Sequence, residues 1–518
     1  MRKAGACLMA MVAAVVMPAV VGAQVAPAGV VSESSLPSAV AAEIDEAFSA
    51  FRKQTPVPGL AYAVVKDGKL VHLATRGIQS TDTLRPVTPQ TRFRIASMSK
   101  AFTALAILKL RDEGKLSLDD LAEKHVPEMR GWRYPTADSP RIRVRDLLQH
   151  VAGFVTDDPW GDRQQSLSEA EFTRMIAAGV PWSRVGQTSH EYSNFGYALL
   201  GRIVTNASGV AYQRFITGNI LRPLGMAATG YEIGDVPADR LAVGYRWEND
   251  QWVREPTMPD GVFGAMGGLH TTVEDYSKWV GFLLSAWPPR DGGESGPARR
   301  STVRELAQGL NFVRVLPRRG AAPDDKCVHA VAYGMGMRVA PDCDLGLTLS
   351  HGGGYPGYGS FVVLAPERGA AAFAFANRTY QAPATAVWQA LWALERAGVI
   401  PERGQPLNPL LARMEAAARA AYAAGSLEPL QGNLAMNFLM DRSAGNWARE
   451  FAELKAQVGN CPTAEPLSPT GLLSANFRWN CEKGLLDGQL LLAPTNPPTL
   501  QSLRFSPAPK PAQPQSGR

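Results

Sequence analysis

Three short stretches of the chain carry side chains suited to acyl transfer. Ser97-Met98-Ser99-Lys100 sets a hydroxyl and an amine three residues apart. On a helix the two share a face, with Cβ atoms about 5–6 Å apart. A desolvated lysine there loses part of its preference for the ammonium form and can accept the serine proton. Tyr192-Ser193-Asn194 adds a phenol, whose pKa a nearby ammonium lowers, and an amide able to hold the lysine and receive a substrate carbonyl. His351-Gly352-Gly353-Gly354 follows an apolar run, and its glycines leave room for a substrate backbone at a strand edge. The N–H groups of Ser97 and Gly354 could then serve as an oxyanion hole. Each motif alone has a plainer reading: an exposed lysine, a tyrosine over a helix end, a glycine-rich turn. The set is more specific, because Ser-x-x-Lys, Tyr-x-Asn and His-x-Gly each occur once.

The surrounding pattern supplies elements to hold them. A helix is expected over 41–53, then strands at 60–65 and 70–74 joined by Lys66-Asp67-Gly68-Lys69, a strong hairpin signal. Residues 101–110 are apolar on every side, as in a helix buried within a core. Helical patterning continues at 146–148, 197–203 and 212–220, and Thr271-Thr-Val-Glu274 has the form of a capping box. Strands resume at 333–339, 345–350, 360–364 and 371–376, the last two joined by Pro366-Glu-Arg-Gly369. The fold class is therefore α+β: an antiparallel sheet flanked by helices, with an inserted, mainly helical subdomain. An Ala-rich helix at 408–424 opens a separate C-terminal α+β domain. The expected division is a signal peptide at 1–23, a hydrolase domain at 24–400 with a little-structured start, an accessory domain at 401–506 and a disordered tail at 507–518.

The three motifs in this order resemble the serine β-lactamase and penicillin-binding-protein superfamily, above all its branch of class C β-lactamases, D-aminopeptidases, carboxypeptidases and esterases. Phe93-Arg-Ile-Ala-Ser-Met-Ser-Lys100, Val144-Arg-Asp-Leu-Leu-Gln-His150, Tyr192-Ser-Asn-Phe-Gly-Tyr-Ala-Leu-Leu-Gly201 and Pro223-Leu-Gly-Met226 carry the likeness over about residues 40 to 380. It implies Ser97 as nucleophile, Lys100 as its base and Tyr192 as general acid/base. Asn194 would contact lysine and substrate, with Gly352, Gly353 and Gly354 along the substrate, and His351 would stand where β-lactamases have lysine. His150 reads as structural. Gly352 departs from the family, which often has Thr or Ser there to help hold a substrate carboxylate. That departure argues against β-lactam turnover and carboxypeptidase specificity. The implied function is hydrolysis of an amide, peptide or ester through an acyl-enzyme. A class C-like β-lactamase, a D-Ala carboxypeptidase and a non-catalytic binder of peptidoglycan fragments are the alternatives. No Gly-x-Ser-x-Gly is present, which disfavours an α/β-hydrolase.

Bulk properties agree with a globular protein of 518 residues, 45% hydrophobic and 19% charged. The net charge of +6 is spread without a dense basic run, so nucleic acid is not an expected partner. Arg2 and Lys3, the apolar run 6–21 and Val21-Gly22-Ala23 read as a cleavable export signal, leaving no membrane span and a periplasmic or secreted protein. Beyond Cys7, Cys327 with Cys343 and Cys461 with Cys481 form two local pairs suited to disulfides, though four cysteines permit three connectivities. Without a Cys-x-x-Cys or a tight His/Cys cluster, no metal and no cofactor are expected. The expected partner is a small-molecule or peptide substrate, and oligomeric state is not legible.

Overall fold

The computed structural model describes residues 32–509 apart from Ala321, Pro323 and Gln405. The expected signal peptide, residues 24–31 of the leader and 510–518 of the tail lie outside the described residues. Ser32–Ser34 forms strand β1, helix α1 covers Ser38–Gln54, and β2 (Gly59–Lys66) and β3 (Lys69–Gly77) follow. Asp67 and Gly68 both take left-handed angles, φ 52° and 75°, as a two-residue hairpin turn requires. The little-structured start expected of the domain at 24–400 thus contains an edge strand paired with β3 and the first turn of α1.

The middle of the chain is helical, with α2 (Lys100–Asp112), α3 (Asn194–Ser208) and α4 (Val273–Leu284) as its main members. The N-cap of α4 is Thr272, whose hydroxyl accepts the Asp275 N–H, one residue later than the Thr271 box predicted. Thr271 is instead in a two-residue strand, and its hydroxyl is taken up by Thr229 Oγ1 at 2.7 Å and the Thr272 carbonyl at 3.3 Å.

The late strands are β4 (Asn311–Pro317), β5 (Val328–Tyr333), β6 (Arg338–Asp342), β7 (Gly346–Tyr355), β8 (Tyr358–Ala365) and β9 (Ala370–Ala376), followed by α5 (Ala384–Arg396). Two readings are corrected here. The strand predicted over 333–339 is a hairpin corner, because Gly336, at φ 79°, breaks it between β5 and β6. The strand predicted to stop at Ser350 runs on through the glycines to Tyr355, held by β8 from Leu349 to its end.

The sheet order is β1-β3-β2-β9-β8-β7-β6-β5-β4, antiparallel throughout. Its period of two separates two cores. Ala61, Ala63, Phe373 and Phe375 meet the helical insertion, where Phe102 stacks on Trp279 at 3.9 Å. Leu60, Tyr62, Val64, Ala372 and Ala374 meet Ile44 and Phe48 of α1 and Leu391 of α5. Alanine on that face of β9 lets the two helices sit close.

Beyond residue 400, α6 (Pro409–Ala424) and α7 (Ala444–Val458) precede five strands, β10 (Thr463–Ala464), β11 (Ser468–Gly471), β12 (Ser474–Asn480), β13 (Leu485–Leu492) and β14 (Leu500–Ala508). These elements enclose a third core around Tyr422, Phe451 and Trp479. Strand β14 includes Pro507 and Ala508, which the sequence assigned to the tail. Cys327 is bonded to Cys343 and Cys461 to Cys481. No helix among the described residues is long and apolar enough to cross a membrane.

Candidate active site

A two-residue strand, Phe93–Arg94, pairs with His270–Thr271 and leads into the site. Ala96 then takes φ 48°, a left-handed angle that costs a non-glycine residue about 1–3 kcal/mol. The bend starts the 3-10 turn Ala96–Ser99, which continues into α2. Ser97 is 6% exposed and lines a cleft of about 650 Å³ together with Tyr192, His351 and Gly352, Gly353 and Gly354.

Lys100 is fully buried, and its Nζ donates to Ser97 Oγ at 3.0 Å, Asn194 Oδ1 at 2.7 Å and the Met266 carbonyl at 2.9 Å. Burial lowers its pKa to about 8, against the opposing pull of Asp158, Asp162 and Asp157. The exposed-lysine reading is thereby ruled out. An amine so poised is partly neutral in mild alkali and is already hydrogen-bonded to the hydroxyl it would deprotonate.

Asn194 opens α3, and that helix start is heavily tied down. Its own N–H and that of Phe195 donate to the Asp157 carboxylate at 2.6 and 2.7 Å, and Gly196 N–H donates to Ser193 Oγ. These are helix N–H groups that lack partners within the helix. The Asn194 amide donates to Asp158 while its oxygen holds Lys100. His150 is buried and accepts the Ser193 N–H at 3.1 Å, so it positions the Tyr192 loop.

Tyr192 differs from its predicted state. Its phenol is pushed well above the ordinary value, first by burial and then by Tyr333 and Asp158, while a hydrogen bond with Ser97 pulls the other way. The Lys100 ammonium lies over the ring, 4.8 Å from its centroid, so it does not produce the predicted lowering. Tyr192 is held as a proton donor.

His351 is buried. Its Nδ1 contacts the Gly352 carbonyl at 2.6 Å and its Nε2 the Tyr333 hydroxyl at 3.0 Å. Burial, then Arg338 and Lys100, hold its pKa well below the usual histidine value. The neutral ring donates from Nδ1 and accepts the Tyr333 proton at Nε2. Gly353 passes so close to the nucleophile turn that a Cβ there would lie 2.2 Å from the Ile95 carbonyl oxygen. Pairing of β7 with β6 ends at Ser350, so among the described residues β8 is the one strand paired with it from His351 onward.

Residues 44–396 match the description of the Beta-lactamase family. The chain belongs to that family. Protein flp of Staphylococcus aureus (strain COL) is 29% identical over 327 residues, covering 62% of this chain and 60% of its own. The chain thus spans less than two thirds of the length of that relative. Among solved structures, the octameric penicillin-binding protein homologue from Pyrococcus abyssi aligns with a TM-score of 0.57 at 20% identity, over 90% of this chain and 99% of its own. A class C β-lactamase aligns with a TM-score of 0.54 at 21% identity, over 69% of this chain and 97% of its own. Both likenesses show a shared fold.

In this β-lactamase-family chain the structure gathers all the residues expected at the site, and it adds others. Asp157, Asp158, Asp162 and Tyr333 were not singled out from the sequence. Asp162 is buried, and its carboxyl is raised to about 7 by burial and the neighbouring Asp158. The only sequence signal was Asp157-Asp158 in a loop, which usually means a solvated turn.

Proposed function

We propose that this protein is an exported serine acyl hydrolase, acting on an amide, peptide or ester through an acyl-enzyme on Ser97. The observation that carries the reading is the fully buried Lys100 donating to Ser97 Oγ at 3.0 Å. A buried amine is costly unless its hydrogens are satisfied, and a binding protein has no use for one whose pKa is brought down to about 8. Ser97 Oγ attacks the carbonyl carbon as its proton passes to neutral Lys100. The tetrahedral intermediate collapses, the bond to the leaving group breaks, and Tyr192 supplies the leaving group's proton. Lys100 holds the proton that restores Tyr192. Water then attacks the ester, the same pair relays its proton, and Ser97 leaves with its hydrogen regained. D-amino-acid peptides and simple esters are the substrate types this reading favours. The likeness in fold to a class C β-lactamase supports β-lactam or D-Ala peptide hydrolysis as the second reading.

A fluorophosphonate should label the protein once, and Ser97→Ala should remove the label without lowering Tm. Labelling that survives Ser97→Ala would show that another serine is the nucleophile.

A further inference from the structure

Arg314 on β4, Arg319 just beyond it and Arg338 on β6 all line the cleft that contains Ser97. Among the described residues none of the three has an ion pair or side-chain hydrogen bond, although acids are close at hand. Arg318, between two of them in sequence, takes Asp325 at 3.2 Å, Asp342 at 3.3 Å and Asp344 at 2.6 Å. Arg184, also in the cleft, is paired with Glu191. Asp325, Asp342, Asp344 and Glu191 are thus spent on arginines other than these three, while Asp158 and Asp162, which also line the cleft, act on Lys100.

The three act on one another and on the site. Loss of water, then the charges of Arg338 and Arg314, hold the Arg319 guanidinium below its ordinary value. The charge of Arg338 also reaches Tyr192, His190 and His351. Like charges brought together at a cleft wall without a counter-charge paired to them are unfavourable for folding alone. A bound anion would relieve them, and guanidinium forks suit carboxylate and phosphate oxygens.

We infer that Arg314, Arg319 and Arg338 form a subsite for an anionic substituent of the substrate, a carboxylate or a phosphate, beside Ser97. This rests on the acyl hydrolase reading for its link to turnover. It places recognition of the anion on β4 and β6 instead of at Gly352, whose missing hydroxyl argues against carboxylate recognition at that position.

The test uses the full chain and two series of aryl esters. In one, the leaving phenol carries a methyl ester, a carboxylate or a phosphonate. In the other, the same groups end the acyl chain. Binding to Ser97→Ala is measured by calorimetry and kcat/KM on the wild type. The expected preference for the anionic over the uncharged member is about ten- to a hundredfold in at least one series. It should shrink in 0.5 M NaCl, because two of the arginines are exposed. Arg314→Gln and Arg319→Gln should each lower the anionic-to-neutral ratio several-fold. Being on exposed side chains, they keep the test usable should Arg338→Gln not fold. Arg396→Gln, a surface charge paired with Glu43, should leave the ratio unchanged. The carboxylate and phosphonate arms show which anion fits better. An arginine-dependent preference in binding, with no ester hydrolysed, would keep the subsite and remove the hydrolase reading. Hydrolysis with no anionic preference in either series, or a preference indifferent to the arginine variants, overturns the subsite and leaves the hydrolase reading standing.

Discussion

Lys100 can take a proton only when neutral, and its neutral fraction rises with pH. The kcat/KM of an uncharged ester should therefore climb through about pH 8. It should then hold level, because the Tyr192 phenol stays protonated well above its usual range. Asp162 raises the lysine pKa, so Asp162→Asn should move the climb to lower pH. A midpoint that stays put or moves upward would show that Asp162 does not act on the base. Lys100→Ala and Tyr192→Phe should each lower turnover by about a hundredfold or more. The double variant should be little worse than the worse single one, since both serve one proton relay. Losses that multiply would show separate roles. At this scale the sequence was informative about residue types and silent about environment. Ser97, Lys100, Tyr192 and Asn194 were legible because their spacing is local to helix starts. The direction of the Tyr192 shift was not, because it depends first on burial and then on Tyr333 and Asp158, all set by parts of the chain distant from the Tyr192 motif.

Among the elements, β7 sets the tightest tolerance. A Cβ on Gly353 would meet Ser360 Oγ at 2.1 Å as well as the Ile95 carbonyl oxygen, and Ser360 Oγ itself donates to that carbonyl at 2.8 Å. Gly353→Ala should push β7 away from the nucleophile turn, reducing fluorophosphonate labelling at least tenfold and lowering Tm. Gly131→Ala, where a Cβ meets nothing within 4 Å, should do neither. Equal behaviour of the two variants would mean that β7 can shift freely. The elements whose signals are local were read correctly: the Asp67-Gly68 turn and the buried helix α2. Misreadings fell where pairing decides. The glycines from Gly352 to Gly354 look like a strand end in isolation, but their partners on β8 keep them extended. Thr271 and Thr272 are alike in sequence, and only pairing of Thr271 with Phe93 leaves the cap to Thr272.

For the whole molecule, the β5–β6 hairpin that carries Tyr333 and Arg338 is bracketed by the Cys327–Cys343 bond. Closing loops with separations of 16 and 20 residues, the two bonds should contribute about 3 kcal/mol each to stability. Non-reducing peptide mapping should join these pairs, and reduction should lower Tm. Four free thiols in native protein would remove that contribution. The division into two sheets was legible from where strand patterns stop and restart. The order of the large sheet was not, because β2 lies beside β9 and a helical insertion separates them in the chain. Gly59 N–H donates to Asn377 Oδ1 at 2.6 Å across 318 residues. That bond has a consequence in time. The middle of the sheet cannot close until the ribosome has made the roughly three hundred residues between β2 and β9, so each nascent chain carries β2 and β3 without their central neighbour throughout that stretch of synthesis. Such long-range pairing also slows folding. Refolding should therefore be slow, and chains ending before Ala370 should stay open to protease while chains ending after Arg396 become resistant.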